Sequence, residues 1–184
     1  MLRYALYDYV PRRRIHREAF DQQDVNRRIL DFKDGRTYAK RWAAESMAKA
    51  LAALDLSDTV IVCAPASGPR THARRFRKFS SMLCQLCQAV NGFDYVRVCQ
   101  TRKKAHVSGE YELCRRFDEL VHIDSTFFQG RNVLVIDDIC TTGTTANAFI
   151  QALQMAGADV RMALFLAKTR AKRPIHIPHH GIGM

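Results

Sequence analysis

Two acids, Asp137 and Asp138, stand side by side directly after the apolar run Val133 to Ile136, and the chain then passes through Cys140, Thr141, Thr142, Gly143, Thr144 and Thr145. Four threonines around one glycine supply hydroxyl and backbone donors without bulk or charge, and the glycine lets the backbone approach an anion or take a positive φ. If a helix opens near Thr144, its N-terminus adds unpaired N–H groups and roughly half a positive charge, which together favour a phosphate. Two carboxylates beside a phosphate would repel it. They make sense if they face another part of the same ligand, such as sugar hydroxyls or a Mg²⁺ ion. A ribose 5-phosphate satisfies both demands. An ordinary capped helix start, with both acids solvated, is the plainer alternative, but a cap needs only one such side chain.

The elements around this stretch must hold it at one place. The apolar run Asn132 to Asp137 reads as a buried strand, and Asp137 to Gly143 as the loop after it. Thr144 to Met155 is expected to be a helix with Ala146, Phe149, Ile150, Leu153 and Ala156 on one face. Upstream, Tyr38 to Leu54 has helical spacing, with Ala39, Trp42, Ala43, Met47, Ala50, Leu51 and Leu54 on the apolar side and Lys40, Arg41, Glu45 and Lys49 opposite. Asp58 to Pro65 reads as a β-branched buried strand, Ser80 to Val90 as a second helix, and Phe93 to Cys99, Leu120 to Ile123 and "ADVRMALFLA" as further strands. Strands alternating with helices imply an α/β domain with a mostly parallel central sheet covered on both faces. The expected core runs from about residue 36 to 168, with 1–34 and 168–184 capping it as a small hood.

At 184 residues the chain has room for one domain with a full core. No apolar run approaches the roughly 20 residues that span a bilayer, and the N-terminus offers no signal-peptide core, so no membrane is expected. Six scattered cysteines fit a reducing cytoplasm better than a disulfide scaffold. The net charge of +11 implies an anionic partner without choosing among phosphorylated metabolites, nucleic acid and a membrane surface.

The stretch "VLVIDDICTTGTT" resembles the phosphoribosyl pyrophosphate (PRPP) signature of type I phosphoribosyltransferases. A Walker A loop would need a Gly-Lys-Ser/Thr ending, and a dinucleotide fold three spaced glycines; neither is here. A receiver domain also has an acid pair after an apolar strand, but at its first strand. More narrowly, "ILDFKDGRTYAKRWAAESMAKAL" and "VIVCAPASGPRTHARRFRKFS" are similar to ComF-type members. The chain departs from that group at Lys78 to Ser81, where a Gly-Phe-Asn-Gln ending would fall, and in having no Cys-rich start.

The resemblance implies roles residue by residue. Asp137 and Asp138 would be catalytic, steadying a ribosyl cation-like transition state, and Cys140 to Thr145 would bind the 5′-phosphate of PRPP. Ala66, Ser67, Gly68 and Arg70, in the loop after the second strand, would bind pyrophosphate. Arg102, Lys103 and Lys104, in the polar stretch Gln100 to Asp118, would belong to a flexible loop closing over PRPP. Mg²⁺ would be held mainly by PRPP, with no metal site built by the protein alone. The acceptor, a nitrogen of a nucleobase or related ring, is not legible. The family commonly dimerises, so a homodimer is expected. Non-catalytic PRPP or nucleotide binding, and a nucleic-acid-associated role, rank behind catalysis.

Three other features read as structural. Cys84 and Cys87 lie on one helix without a second pair at zinc spacing, so they are expected in the core. His176, His179 and His180 lack nearby partners in sequence. Cys140 gets no catalytic role, although a helix N-terminus beside it would lower its pKa.

Overall fold

The computed structural model describes residues 1–10, 20–101 and 117–169. In chain order these form β1 (Leu2–Tyr9), α1 (Phe20–Lys33), α2 (Thr37–Leu51), β2 (Thr59–Cys63), α3 (Pro69–Cys87) and β3 (Val90–Asn91). Then come β4 (Val96–Val98), α4 (Phe117–Leu120), β5 (Val121–Ile123), α5 (Ser125–Phe128), β6 (Asn132–Cys140), α6 (Thr144–Met155) and β7 (Asp159–Thr169). The main sheet has the order β1-β7-β6-β2-β3, and every pairing in it is parallel. A separate antiparallel pair joins β4 and β5.

Strand alternation divides the core into two layers. Ile61, Cys63, Leu134, Ile136, Leu164 and Leu166 pack beneath α1, α2 and α3 with Ile29, Phe32, Met47, Phe76, Phe79 and Leu83. Val60, Val62, Val133, Val135, Ala163 and Phe165 face the other way, onto α6 with Ala146, Phe149, Ile150 and Leu153. The register shifts where β6 meets β7: Val133 pairs with Val160 but Leu134 with Met162, which leaves Arg161 as an extra residue.

Several expected boundaries move, each for a local reason. The first residues do not cap the sheet: Leu2–Tyr9 pairs along β7 as an edge strand. Helix α1 had no expected counterpart. Its buried positions are few, Asn26, Ile29 and Phe32, and Asn26 spends its amide on the backbone N–H and carbonyl of Val10 at 3.2 and 3.0 Å. Helix α2 ends at Leu51, so Leu54 is exposed, while Lys40 and Ala44 are buried. Helix α3 starts at Pro69, eleven residues before the expected Ser80. Pro is well suited to a first helical turn because its missing N–H would have no helical partner there. It stops at Gln88, which takes the left-handed conformation (φ 54°). Phe93–Tyr95 is a 3₁₀ turn leading into β4, which is shorter than the expected strand.

Topology then fixes where a ligand can sit. From β2 the chain crosses through α3 to β3 on one side, and from the adjacent β6 it crosses through α6 to β7 on the other. The loops after β2 and β6 therefore diverge, and they open a crevice at the carboxyl ends of the two strands.

Candidate functional site

That crevice is a cleft of about 300 Å³ lined by Pro65, Ala66 and Ser67 from the β2 loop and by every residue from Asp137 to Ala146. Lys33, Arg75 and Phe165 complete its wall. The structure thus brings the acid pair, the Thr/Gly stretch and Ala66–Ser67 into one site. Gly68 and Arg70 do not line it. Gly68 is the N-cap of α3, and a Cβ there would lie 2.7 Å from the Thr101 hydroxyl, so close packing demands glycine. Arg70 is exposed on the first turn of α3. Arg102, Lys103, Lys104 and the tail histidines lie outside the described residues.

The acids are not loop residues. Strand β6 continues to Cys140, and its alternation sends Asp137 and Asp138 in opposite directions. Asp138 is 7% exposed. Its Oδ2 accepts from Arg75 Nη1 at 2.5 Å, and its Oδ1 accepts from the Ile139 N–H at 2.6 Å. Arg75 in turn donates from Nε to the Lys33 carbonyl at 3.0 Å. Asp137 is half-buried, and its Oδ1 accepts from the Asp138 N–H at 2.8 Å. Burial, and then the charge of Asp138 beside it, push the Asp137 carboxyl up to about 8.

The Thr/Gly turn leads into an unmasked helix N-terminus. Gly143 caps α6 at φ 82°, a conformation open to glycine and costly for other residues. Thr142 and Thr144 share a hydroxyl contact at 2.9 Å, and no acid stands in the first turn of α6 to offset its positive end. Arg3, from β1, donates to Asn147 Oδ1 at 2.5 Å and brings its guanidinium beside Gly143. Cys140 runs against the expectation drawn from a helix N-terminus. Burial, followed by Asp137, raises its thiol, outweighing the lowering by Lys168 and Arg3.

On the opposite wall, buried His72 accepts the Ala66 N–H at Nδ1 (3.4 Å) and stacks on Phe93 at 5.0 Å. Burial, then the charges of Arg75 and Arg77, hold it down to about 4, so it is neutral at pH 7 and tethers the loop as an acceptor. Arg75, Arg3 and His72 were all missed by sequence reasoning. The signal for Arg75 and His72 was present. A helix begun at Pro69 puts both on the stripe of Phe76, Phe79 and Leu83.

Among the described residues no three His, Cys, Asp or Glu side chains converge as a metal cage. The carboxyl and hydroxyl oxygens on the cleft wall suit a Mg²⁺ ion whose other ligands come from a bound phosphate compound, while Lys33 and Arg75 suit the phosphate itself. Cys84 is in the core and Cys87 half-buried at the end of α3, and all five described cysteines are free thiols. No described helix is long and apolar enough to cross a membrane.

Residues 38–179 match the phosphoribosyl transferase domain family, and the chain belongs to it. It is 38% identical over 78 residues to an adenine phosphoribosyltransferase of Mannheimia succiniciproducens, covering 41% of this chain and 43% of that protein. It is 35% identical over 75 residues to the adenine phosphoribosyltransferase of Haemophilus influenzae, covering 40% and 41%. The chain thus spans less than half the length of these curated relatives. The crystal structure of adenine phosphoribosyltransferase from Rhodothermus marinus aligns with 73% of this chain and 69% of its own, at a TM-score of 0.44 and 21% identity.

Proposed function

We propose that this member of the phosphoribosyl transferase domain family binds PRPP in the cleft between the ends of β2 and β6. It transfers the phosphoribosyl group to a ring nitrogen of an acceptor, with release of pyrophosphate. The observation that carries this reading is the convergence of Ala66–Ser67, the acid pair and the Thr141–Thr145 turn on one cleft of about 300 Å³. In this reading the 5′-phosphate lies in the turn before α6, against its N–H groups and hydroxyls and beside Arg3. Asp137 and Asp138 meet the ribose hydroxyls. Ser67 and the loop backbone, held by His72, meet the pyrophosphate.

The bond between ribose C1 and the pyrophosphate oxygen breaks, and its electron pair leaves with pyrophosphate. A bond forms between C1 and the acceptor nitrogen, whose proton is then released. The positive charge that develops on the ribose ring is steadied by the Asp138 carboxylate fixed near it and by the oxygens of Asp137. Mg²⁺, held chiefly by PRPP oxygens with Ser67 on the adjoining wall, would neutralise the leaving pyrophosphate. Arg102, Lys103 and Lys104 keep their proposed role as part of a closing loop. Adenine is the first acceptor to test, since the relatives carry that name. A homodimer, a cytoplasmic setting and the narrower ComF-type likeness belong to the same proposal.

The test is calorimetric titration of PRPP with Mg²⁺ into the wild type and an Asp137→Asn, Asp138→Asn double variant, followed by assay of pyrophosphate release with adenine. Binding that the double variant loses supports the reading, and release of pyrophosphate establishes transfer. Absence of wild-type binding at moderate salt defeats it. The net charge of +11 favours a second reading, nucleic-acid association. Oligonucleotide affinity that falls steeply with salt, in a protein that does not bind PRPP, is its signature.

A further inference from the structure

We propose that Arg75 is a positioning residue for the acid pair, clamping Asp138 so that both acids meet the ribose hydroxyls in one fixed geometry. This rests on the reading of the cleft as a PRPP site. Three elements meet at the Arg75 guanidinium. It projects from the buried face of α3, donates from Nε to the last carbonyl of α1 at Lys33, and donates from Nη1 to Asp138 at the end of β6. Both ends of the clamp are nearly dry: the Arg75 and Asp138 side chains are 10% and 9% exposed.

The arrangement gives the two acids unequal work. Asp138 has one oxygen on Arg75 and the other on the Ile139 N–H, which fixes its orientation. Asp137 has one oxygen on the Asp138 N–H and borders the cleft. Adjacent carboxylates repel each other. A guanidinium paired with the inner one removes much of that repulsion, and a planar fork fixed at a second point holds the geometry. A buried ion pair is a poor device for stability, because desolvating two charges offsets most of their attraction. Its place on the cleft wall, beside Asp137, is what gives it use.

The experiment compares ribose 5-phosphate with inorganic phosphate, because only the first carries hydroxyls for the acid pair. Two-dimensional NMR titrations of both ligands into wild type, Arg75→Gln and Arg75→Lys give dissociation constants and report folding in the same spectra. The expected result is ribose 5-phosphate binding weakened about tenfold in Arg75→Gln, with phosphate binding within about twofold of wild type and partial recovery in Arg75→Lys. Tenfold corresponds to about 1.4 kcal/mol, the size of one charge-assisted hydrogen bond misplaced. Unchanged ribose 5-phosphate binding in Arg75→Gln overturns the positioning role and leaves the PRPP reading standing. Equal weakening of both ligands also overturns it, since that marks a merely structural residue. Wild-type protein that binds neither ligand defeats the PRPP reading and this inference together.

Discussion

An acid held at a half-buried strand end beside a second acid destabilises the protein, and Asp137 allows a test of that with a definite sign. Its carboxyl is raised to about 8 by burial and by Asp138, against 3.8 for the unperturbed group. The folded state therefore holds the proton more tightly than the unfolded chain. Between about pH 4 and pH 8 the native state carries more protons, so stability falls as pH rises through that window. Asn at this position keeps a carbonyl oxygen for the Asp138 N–H but cannot ionise. At pH 7 the full displacement would be worth about 4 kcal/mol at roughly 1.4 kcal/mol per unit. Partial exposure of the side chain reduces this to about 2 kcal/mol. For a chain of this size that is a rise in melting temperature of about 4–8 °C. Thermal unfolding followed by circular dichroism, for wild type and Asp137→Asn at pH 7 and at pH 4.5, provides the measurement. The variant should melt higher at pH 7 and near wild type at pH 4.5. Equal melting at pH 7, or a gap that does not shrink in acid, would refute the reasoning.

Two further outcomes follow from particular positions. Gly143→Ala places a side chain at φ 82° with no neighbour closer than 3.7 Å, so backbone strain alone should cost about 1–2 kcal/mol, read as a lower denaturant midpoint at unchanged slope. The same variant should weaken inorganic phosphate binding, since the strain sits in the turn that would hold the anion. Asn26→Ala removes both side-chain partners of the Val10 backbone and should destabilise by about 2 kcal/mol, with hydrogen exchange at Val10 accelerated ahead of that in β6.

The parts legible in the sequence were those where one pattern dominates. The run Asn132 to Ile136 has no reading except a buried strand, and Thr144–Met155 has both a start signal and an apolar stripe, so the strand start and the whole helix fell where expected. The acid pair was read as loop because charged residues rarely extend a strand. Here they do, since Asp138 finds Arg75 and β7 continues alongside as far as Lys168. The early start of α3 was hidden by Arg70, Arg74, Arg75, Arg77 and Lys78, which read as a charged loop although His72, Arg75, Phe76 and Phe79 keep helical spacing through them. Strand β1 was missed because half of Leu2–Tyr9 is exposed, none of it is fully buried, and only its pairing with β7 makes it a strand. Sequence period reports burial, and it fails where hydrogen bonding across chain-distant residues decides.

The same distinction explains the site. Strand order alone creates the crevice, because α3 leaves β2 on one face of the sheet and α6 leaves β6 on the other. Any sequence with this topology would have a gap there. What makes the gap specific is that its β6 side carries groups of opposite charge character. The β6 side brings two carboxylates up to the mouth and then turns at Gly143 into a helix start with no acid to mask it. The two kinds of group sit six residues apart on one continuous segment, so the distance between the acid pair and the helix N-terminus is set by backbone rather than by flexible side chains. Arg75 then holds the inner acid from the opposite layer of the fold, across the sheet end. A ligand with hydroxyls at one end and a phosphate at the other is the chemistry that this division of charge can recognise.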